Sequence, residues 1–274
     1  MKKFIILILC LCALFFILVK GINPFTADKE SREEQLEAKA PETYSNFYQK
    51  LVNGEVEKIK LVGDSITAGV GAQYLLMPDV NQVIFENQEE VYREAGFEAN
   101  SWSNLFRNYI NEFFPDVEFV NAGISGKSAK WANRHKERWV GDEDVVFVML
   151  GTNDRWDSQN TLELKDNLTS FLEYVDANSE QMIVMSPPPA LSDGQNERYH
   201  FGTEEINQVV KSICRAHGYQ LISHYDAMTN YASSQGVALE KLLQTTGSHP
   251  IDAGYRVIWE HIKSELTLYD RNEL

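Results

Sequence analysis

The length, composition and charge of the chain limit what it can be. Its 274 residues are 43% apolar and carry a net charge of −15, and that apolar fraction suffices for the core of one α/β domain, or two at most. The acidic balance argues against a nucleic-acid partner, because phosphate binding requires clustered Lys and Arg side chains. The sequence contains no His-x-x-x-His or Cys-x-x-Cys spacing, so neither a metal nor a cofactor is predicted.

The first twenty residues favour a membrane segment. An uncharged run from Phe4 to Val19 is flanked by lysines, and as a helix it would span roughly 24 Å, which lysine side chains can extend towards the interfaces. No small-x-small cleavage site follows the run, so residues 1–20 are predicted to form a transmembrane anchor rather than a cleaved signal. We expect the domain to lie outside the membrane, either anchored or, if the signal is cleaved, secreted.

The rest of the chain is predicted to form a spacer and one folded domain. Residues 21–50 are polar and rich in charge, as in a spacer. Within 51–274, apolar strand-like runs alternate with helical periodicity, which predicts a parallel sheet covered on both faces. The expected strands are 57–62, 117–121, 144–150, 181–186 and 219–224, and the expected helices are 102–114, 160–177, 203–217 and 253–268.

One stretch interrupts this alternation. Between Gly71 and Ser101 lie about thirty acid-rich residues, a long connection for a compact domain. It is interpreted either as a lid facing the substrate or as an extra surface helix without a role.

Polar residues directly follow three of the predicted strands. Gly63-Asp64-Ser65 follows the first, Asn121-Ala122-Gly123 the second and Gly151-Thr152-Asn153-Asp154 the third. The carboxyl ends of parallel strands share one edge, where ligands bind in such sheets. A serine hydroxyl and several hydrogen-bond donors could therefore meet in one crevice, and His249, from further along the chain, could join them. Acyl transfer through a serine requires this set of groups.

These blocks resemble those of the SGNH hydrolases, the GDSL-type esterases and lipases. The first extends to Gly69, and a fourth block, His249-Pro250-Ile251-Asp252-Ala253-Gly254-Tyr255, completes the set in family order over about residues 56–268. The resemblance implies a flavodoxin-like three-layer α/β/α fold with a five-stranded parallel sheet, here preceded by one N-terminal membrane helix.

The resemblance also implies the roles of individual residues. Ser65 would be the nucleophile and His249 the general base. The oxyanion hole would consist of the backbone N–H groups of Ser65 and Gly123 together with the side-chain amide of Asn153. Asp64 and Asp154 are expected to hold their loops by hydrogen bonds rather than take part in the chemistry.

The chain departs from the family at one position. The family has an aspartate three residues before the histidine, where this sequence has Thr246; in a triad, that carboxylate orients the imidazole. Either Thr246 or a backbone carbonyl accepts the histidine N–H in a Ser-His dyad, or Asp252 substitutes, or the protein is a feeble catalyst that serves as a binder. Asp252 is otherwise expected to cap a helix starting near Ala253.

The leading function is hydrolysis of acetyl or short acyl esters on surface glycan or lipid, outside the membrane, through an acyl-Ser65 intermediate. The alternatives are an O-acyltransferase using the same serine and a non-catalytic glycan-binding protein. The α/β-hydrolase fold is the structural alternative, but it expects Gly-x-Ser-x-Gly around the nucleophile. The sequence does not indicate the oligomeric state.

Several further residues were considered for the site. Cys214 is expected to be a core thiol, and the histidines other than His249 are expected to be structural or exposed. The tryptophans that follow the second and third blocks could line an acyl or sugar pocket or pack in the core: Trp131, Trp139 and Trp156.

Overall fold

The structure is a computed structural model, and it describes residues 46–73, 84–86, 89–91, 100–194, 196–245 and 247–268, with backbone alone for 46, 84–86 and 89–91. The predicted anchor over residues 1–20, nearly all of the spacer, most of the 71–101 stretch and Thr246 lie outside the described residues. No helix within the described ranges is long and apolar enough to cross a membrane.

Five parallel strands form one sheet in the order β4-β1-β5-β6-β7. They are β1 (Lys58–Gly63), β4 (Glu118–Asn121), β5 (Val145–Met149), β6 (Gln181–Ser186) and β7 (Gln220–Ser223), and they match the five expected strands. The order is that of flavodoxin-like sheets, in which the chain reverses its winding direction beside the first strand. The predicted three-layer fold and its five-stranded parallel sheet are confirmed.

Buried side chains of the strands alternate between two hydrophobic clusters, one on each face of the sheet. In β5, for example, Phe147 faces the first cluster and Val148 the second. A parallel sheet needs both faces covered, because its strands are apolar on both sides. Helices therefore cover each face. The helical residues Phe106 and Ile258 pack in the first cluster, and the helical residues Leu168 and Val210 pack in the second.

The four expected helices are present, at α3 (Trp102–Phe113), α6 (Thr161–Ala177), α7 (Thr203–His217) and α9 (Asp252–Glu265). Local signals fix several of their ends. The Ser101 hydroxyl accepts from the Asn104 amide at the start of α3, and α7 ends at Gly218 in a left-handed conformation, which glycine adopts readily.

Other elements were not predicted. They are α1 (Asn46–Asn53), α2 (Ser65–Ala68), α4 (Ala129–Trp139), α5 (Asp154–Asp157) and α8 (His224–Gln235), a 3₁₀ turn at Leu239–Lys241, and a hairpin of β2 (Ile84–Glu86) and β3 (Glu89–Val91). Helix α1 begins inside the predicted spacer of residues 21–50 and extends three residues beyond it, and it places Phe47, which is fully buried, in the core. The folded domain therefore begins before residue 51. The hairpin lies within the 71–101 stretch, and most of that stretch, for which a lid or a surface helix was predicted, lies outside the described residues.

Candidate active site

The site lies where the winding of the sheet reverses. Strands β1 and β5 are neighbours, and Ser65 follows β1 while Asn153 follows β5. Strand β4, on the other side of β1, ends at Asn121. The carboxyl edge at such a switch point is where open α/β sheets bind ligands.

Ser65 begins the short helix α2 and is 8% exposed. Asp64 precedes it as the N-cap residue, and its carboxylate accepts from the Ile66 amide at 2.9 Å. Burial raises the pKa of Asp64 to about 6, although the hydrogen bond from Ile66 opposes the shift. Asp64 therefore fixes the turn that presents the Ser65 hydroxyl, as expected.

His249 lies against Ser65, 184 positions away in sequence. Its Nε2 is 2.8 Å from the Ser65 Oγ, so the hydroxyl can donate its proton to an imidazole whose Nε2 is unprotonated. The His249 carbonyl accepts from the Gln244 amide at 2.9 Å, and a bridge between Leu243 and Pro250 closes the turn. The predicted pair of nucleophile and base is thus within hydrogen-bonding distance.

The environment of His249 favours the neutral imidazole. Burial is the main reason that its pKa falls below the usual value, and the positive charge of Arg155 lowers it further. A base must be unprotonated to accept the serine proton, so this environment keeps His249 competent in mildly acidic solution.

Asn153 directs its side-chain amide towards the same crevice. Its Nδ2 donates to the Lys127 carbonyl at 3.0 Å and lies 3.4 Å from an oxygen of Asp64. The contact with Asp64 brings Asn153 next to the nucleophile turn. Its neighbour Asp154 is fully buried and accepts from the Ala129 amide at 2.8 Å, and so holds the turn in place, as expected.

Gly123 is arranged differently from the prediction. Its N–H donates to the Asn121 side chain at 2.9 Å, and a Cβ at this position would lie 2.5 Å from the Ala68 amide nitrogen. Gly123 is therefore a glycine because the loop packs directly on α2, and the structure commits its amide to Asn121 rather than leaving it free for a substrate.

The turn that follows offers another donor. Gly126 has φ +78°, a left-handed conformation that suits glycine, and its N–H donates to no backbone carbonyl among the described residues. Lys127, which accepts from Asn153, is the next residue. The sequence analysis missed Gly126, although Ser125-Gly126 just after the second block is a turn signal.

Asp252, one of the predicted partners of the His249 ring, has other hydrogen-bond partners. Asp252 directs one oxygen to the Gln73 amide at 2.7 Å and the other to Asn100 Nδ2 at 2.9 Å, so it ties together the two ends of the 74–99 stretch. It is the first residue of α9, whose N-cap is Ile251, so the expected capping role is also wrong. Thr246 lies outside the described residues, and its role stays a prediction.

Arg155 is almost completely buried at this edge, at 1% exposed, and it was not predicted. Its Nη1 donates to Asp193 at 2.6 Å, its Nε donates to the Thr152 carbonyl at 2.9 Å, and its Nη2 donates to the Ser248 hydroxyl. Apart from the position of Arg155 directly after the third block, no sequence pattern indicates this role.

The three tryptophans occupy different environments. Trp139 is buried and donates to the Ala122 carbonyl at 3.0 Å, and Trp131 packs against the second core cluster. Trp156 is 48% exposed and borders a cleft of about 610 Å³ with Asn196, Arg198, Tyr199 and His200. Its amide donates to the Asn153 carbonyl at 3.3 Å, so the cleft adjoins the donor loop.

Other candidate groups belong to the core. Burial raises the pKa of Cys214 to about 12, as expected for a core thiol. His224 is fully buried, and burial lowers its pKa to about 3. No cluster of three or more His, Cys, Asp or Glu suited to a metal ion occurs within the described ranges.

Comparisons with known proteins agree with this geometry. Residues 61–257 match the sequence model of the GDSL-like lipase/acylhydrolase family. An acetylxylan esterase from Geobacillus stearothermophilus superposes with a TM-score of 0.57 at 18% identity, covering 78% of this chain and 95% of that one. A lipolytic protein of the G-D-S-L family from Veillonella parvula superposes with a TM-score of 0.56 at 19% identity, over 77% and 99% of the two chains. No curated protein sequence matches the chain significantly.

Proposed function

Because this chain belongs to the GDSL-like lipase/acylhydrolase family and is a carboxylic ester hydrolase, we propose that it removes acetyl or short acyl groups from surface glycan or lipid through an acyl-Ser65 intermediate. The observation that carries the proposal is the 2.8 Å separation of the Ser65 Oγ and the His249 Nε2. That distance allows direct proton transfer as the hydroxyl attacks an ester.

In the acylation step, the Ser65 Oγ attacks the ester carbonyl carbon while its proton passes to the His249 Nε2. The resulting oxyanion is met by the N–H of Ser65 and by the Nδ2 of Asn153, which exchanges its contact with Asp64 for the oxyanion. The N–H of Gly126, which donates to no backbone carbonyl in the described part of the chain, is proposed as the third donor in place of Gly123. When the tetrahedral intermediate collapses, the alcohol oxygen leaves with the proton from His249 and the acyl group stays on Ser65.

Deacylation repeats these roles with water as the nucleophile. His249 takes a proton from water as its oxygen attacks the acyl-Ser65 carbonyl, and it returns the proton to the Ser65 Oγ when the acid leaves. If a glycan hydroxyl replaces water, the same intermediate gives acyl transfer. The chemistry at Ser65 is identical in the two cases, so the acceptor decides between them.

The cleft beside Asn153 supports a glycan as the alcohol partner. An exposed indole gives the apolar C–H face of a sugar ring a surface to stack on, and polar groups beside it can meet the hydroxyls. Trp156 and Tyr199 supply the rings, and Arg198 and Asn196 supply the polar groups. The acetylxylan esterase among the similar structures acts on an acetylated glycan, which agrees with this substrate class.

Hydrolysis is tested with p-nitrophenyl acetate and a fluorophosphonate probe. We expect the full-length protein to release p-nitrophenol and to be labelled by the probe, and we expect Ser65→Ala to do neither. Failure of the wild-type protein in both assays would refute the proposal and favour the non-catalytic binder.

The substrate class is tested with Trp156→Ala. Loss of the indole should raise KM for an acetylated oligosaccharide by roughly tenfold while changing that for p-nitrophenyl acetate by less than twofold, since the small ester does not reach the cleft. Mass analysis of the products with an added unacetylated acceptor separates hydrolysis from transfer. Equal effects on both substrates would argue against a glycan in the cleft.

The location of the enzyme is part of the same proposal. Residues 1–20 are proposed to anchor the chain with the domain outside the membrane, where surface glycan is accessible. Protease added to intact cells should digest the domain while leaving a cytoplasmic marker whole. Protection of the domain until the cells are lysed would contradict this placement.

A further inference from the structure

Arg155 lies at the centre of a hydrogen-bond network that joins three loops of the active-site edge. Its guanidinium donates to the Thr152 carbonyl, to Ser192 and Asp193, and to Ser248. Its Cζ also lies 4.1 Å from the centroid of the Tyr199 ring. Thr152 precedes Asn153 in the chain and Ser248 precedes His249, so one planar group connects the donor loop with the loop of the base.

Burial of the charged Arg155 side chain costs free energy, which other interactions in the fold must offset. A buried guanidinium loses its hydration, and its ion pair repays that loss only with good geometry and further hydrogen bonds. Asp193, its carboxylate partner, is 27% exposed, whereas Arg155 itself is almost completely buried. Since Arg presents its donors in a rigid fork, the network fixes both loops more firmly than single hydrogen bonds from flexible side chains would.

The partner groups of His249 explain why this rigidity matters here. A triad carboxylate orients the imidazole and stabilises its charged form, but this chain has Thr246 at that position, and Asp252 binds Gln73 and Asn100. Among the described residues, the charged group that acts on His249 is Arg155. A triad carboxylate favours the protonated imidazole, whereas the positive charge of Arg155 disfavours it.

We propose that Arg155 is the positioning residue of this site and that, through Ser248 and Thr152, it holds His249 and Asn153 in register around Ser65. Its charge also opposes protonation of the imidazole, so the base stays neutral at lower pH but is a weaker base. The inference rests on the Ser65–His249 chemistry of the proposed function.

Three variants separate the effect of the Arg155 hydrogen bonds on loop position from the effect of its positive charge. Arg155→Lys keeps the charge and loses the fork, Arg155→Gln loses both, and Ser248→Ala removes only the link to the His249 loop. We expect kcat to fall about 10- to 100-fold in both Arg155 variants and several-fold in Ser248→Ala, with KM within about threefold, because small misplacements of reacting groups cost this much. Lys58→Gln, at the opposite end of β1, is the control and should match the wild type.

The pH dependence distinguishes positioning beside the base from a merely structural role. In Arg155→Gln the acid limb of kcat/KM should move to higher pH, whereas in Arg155→Lys and Ser248→Ala it should stay near that of the wild type. If both Arg155 variants keep kcat within twofold, or if neither acid limb moves, the inference is wrong. Should Arg155→Gln not fold, unchanged kcat in Arg155→Lys and Ser248→Ala would refute it equally.

Nuclear magnetic resonance separates failure of this inference from failure of the proposed function. The His249 ring can be titrated in the full-length protein without substrate, by following its imidazole nitrogens. The inference requires an upward shift of the His249 pKa in Arg155→Gln but not in Arg155→Lys, whether or not the wild type cleaves an ester. Equal titration in the wild type and Arg155→Gln would overturn the inference even in an active enzyme.

Discussion

Asp154 makes the stability of this protein depend on pH in a direction that can be measured. Its side chain is fully buried, and its two oxygens accept from the Ala129 amide at 2.8 Å and the Ser158 hydroxyl at 3.2 Å. Burial raises the pKa of the carboxyl from an ordinary value of 3.8 to about 7. The folded protein therefore binds this proton more tightly than the unfolded chain does.

The sign follows from that difference. Below about pH 4 the carboxyl is protonated in both states, and the stability that it contributes is fully present. As the pH rises towards 7, the unfolded chain releases the proton first, and stability is lost. A pKa difference of about three corresponds to about 4 kcal/mol in total, of which roughly 2–3 kcal/mol falls between pH 5 and pH 8.

Asp154→Asn tests this reasoning by removing the titration while keeping an acceptor for the Ala129 amide. We expect the free energy of unfolding of the variant, relative to wild type, to increase by roughly 2–3 kcal/mol from pH 5 to pH 8 in urea unfolding. Comparing the two proteins cancels other titrating groups such as His224. Asp116→Asn, at an exposed turn, is the matched control and should show no trend. If the difference in the free energy of unfolding between Asp154→Asn and the wild type does not change with pH, the reasoning is refuted.

Three further predictions concern the catalytic groups. Asn153→Ala should lower kcat by about 10²–10³-fold with little change in KM, as the loss of one oxyanion donor does in other enzymes. Steady-state kinetics measure this effect, and a fall in kcat of less than threefold would remove Asn153 from the mechanism. The acid limb of kcat/KM should lie below pH 6.5, because burial and Arg155 lower the pKa of His249 and only the neutral ring accepts the Ser65 proton. An acid limb at or above pH 7 would contradict this effect of burial and Arg155 on His249. Thr246→Asp should change kcat by less than about threefold if the dyad works as it stands, whereas a gain of 10² or more would indicate a decayed triad.

The sheet could be predicted from the sequence because its strands are buried on both faces. Runs such as Val145–Met149 are continuously apolar, and each is followed by polar residues at the edge where ligands bind. The short or polar helices carried weaker signals. Ala129–Trp139 has mostly charged and polar residues between its buried positions, so few apolar residues mark it as a helix. Ser65–Ala68 is only one turn long, which is too short to show a helical period.

The reactive pair of the site could be predicted, whereas its surroundings could not. Ser65 and His249 stand in blocks with recognisable spacing, and the structure brings them together. Gly123 and Gly126 are both glycines near the second block, and only the hydrogen bond from Gly123 to the Asn121 side chain shows which amide is engaged. Arg155 depends on contacts with residues up to 93 positions away, a distance over which sequence pattern carries no information about pairing.

The most direct test is the mass of the intact protein after brief incubation with p-nitrophenyl acetate and a rapid quench in strong acid, which protonates His249 and stops deacylation. The account predicts an added acetyl group located on the Ser65 peptide, absent in Ser65→Ala and reduced in His249→Ala. An acetyl group on another residue, or equal labelling of the wild type and Ser65→Ala, would contradict it.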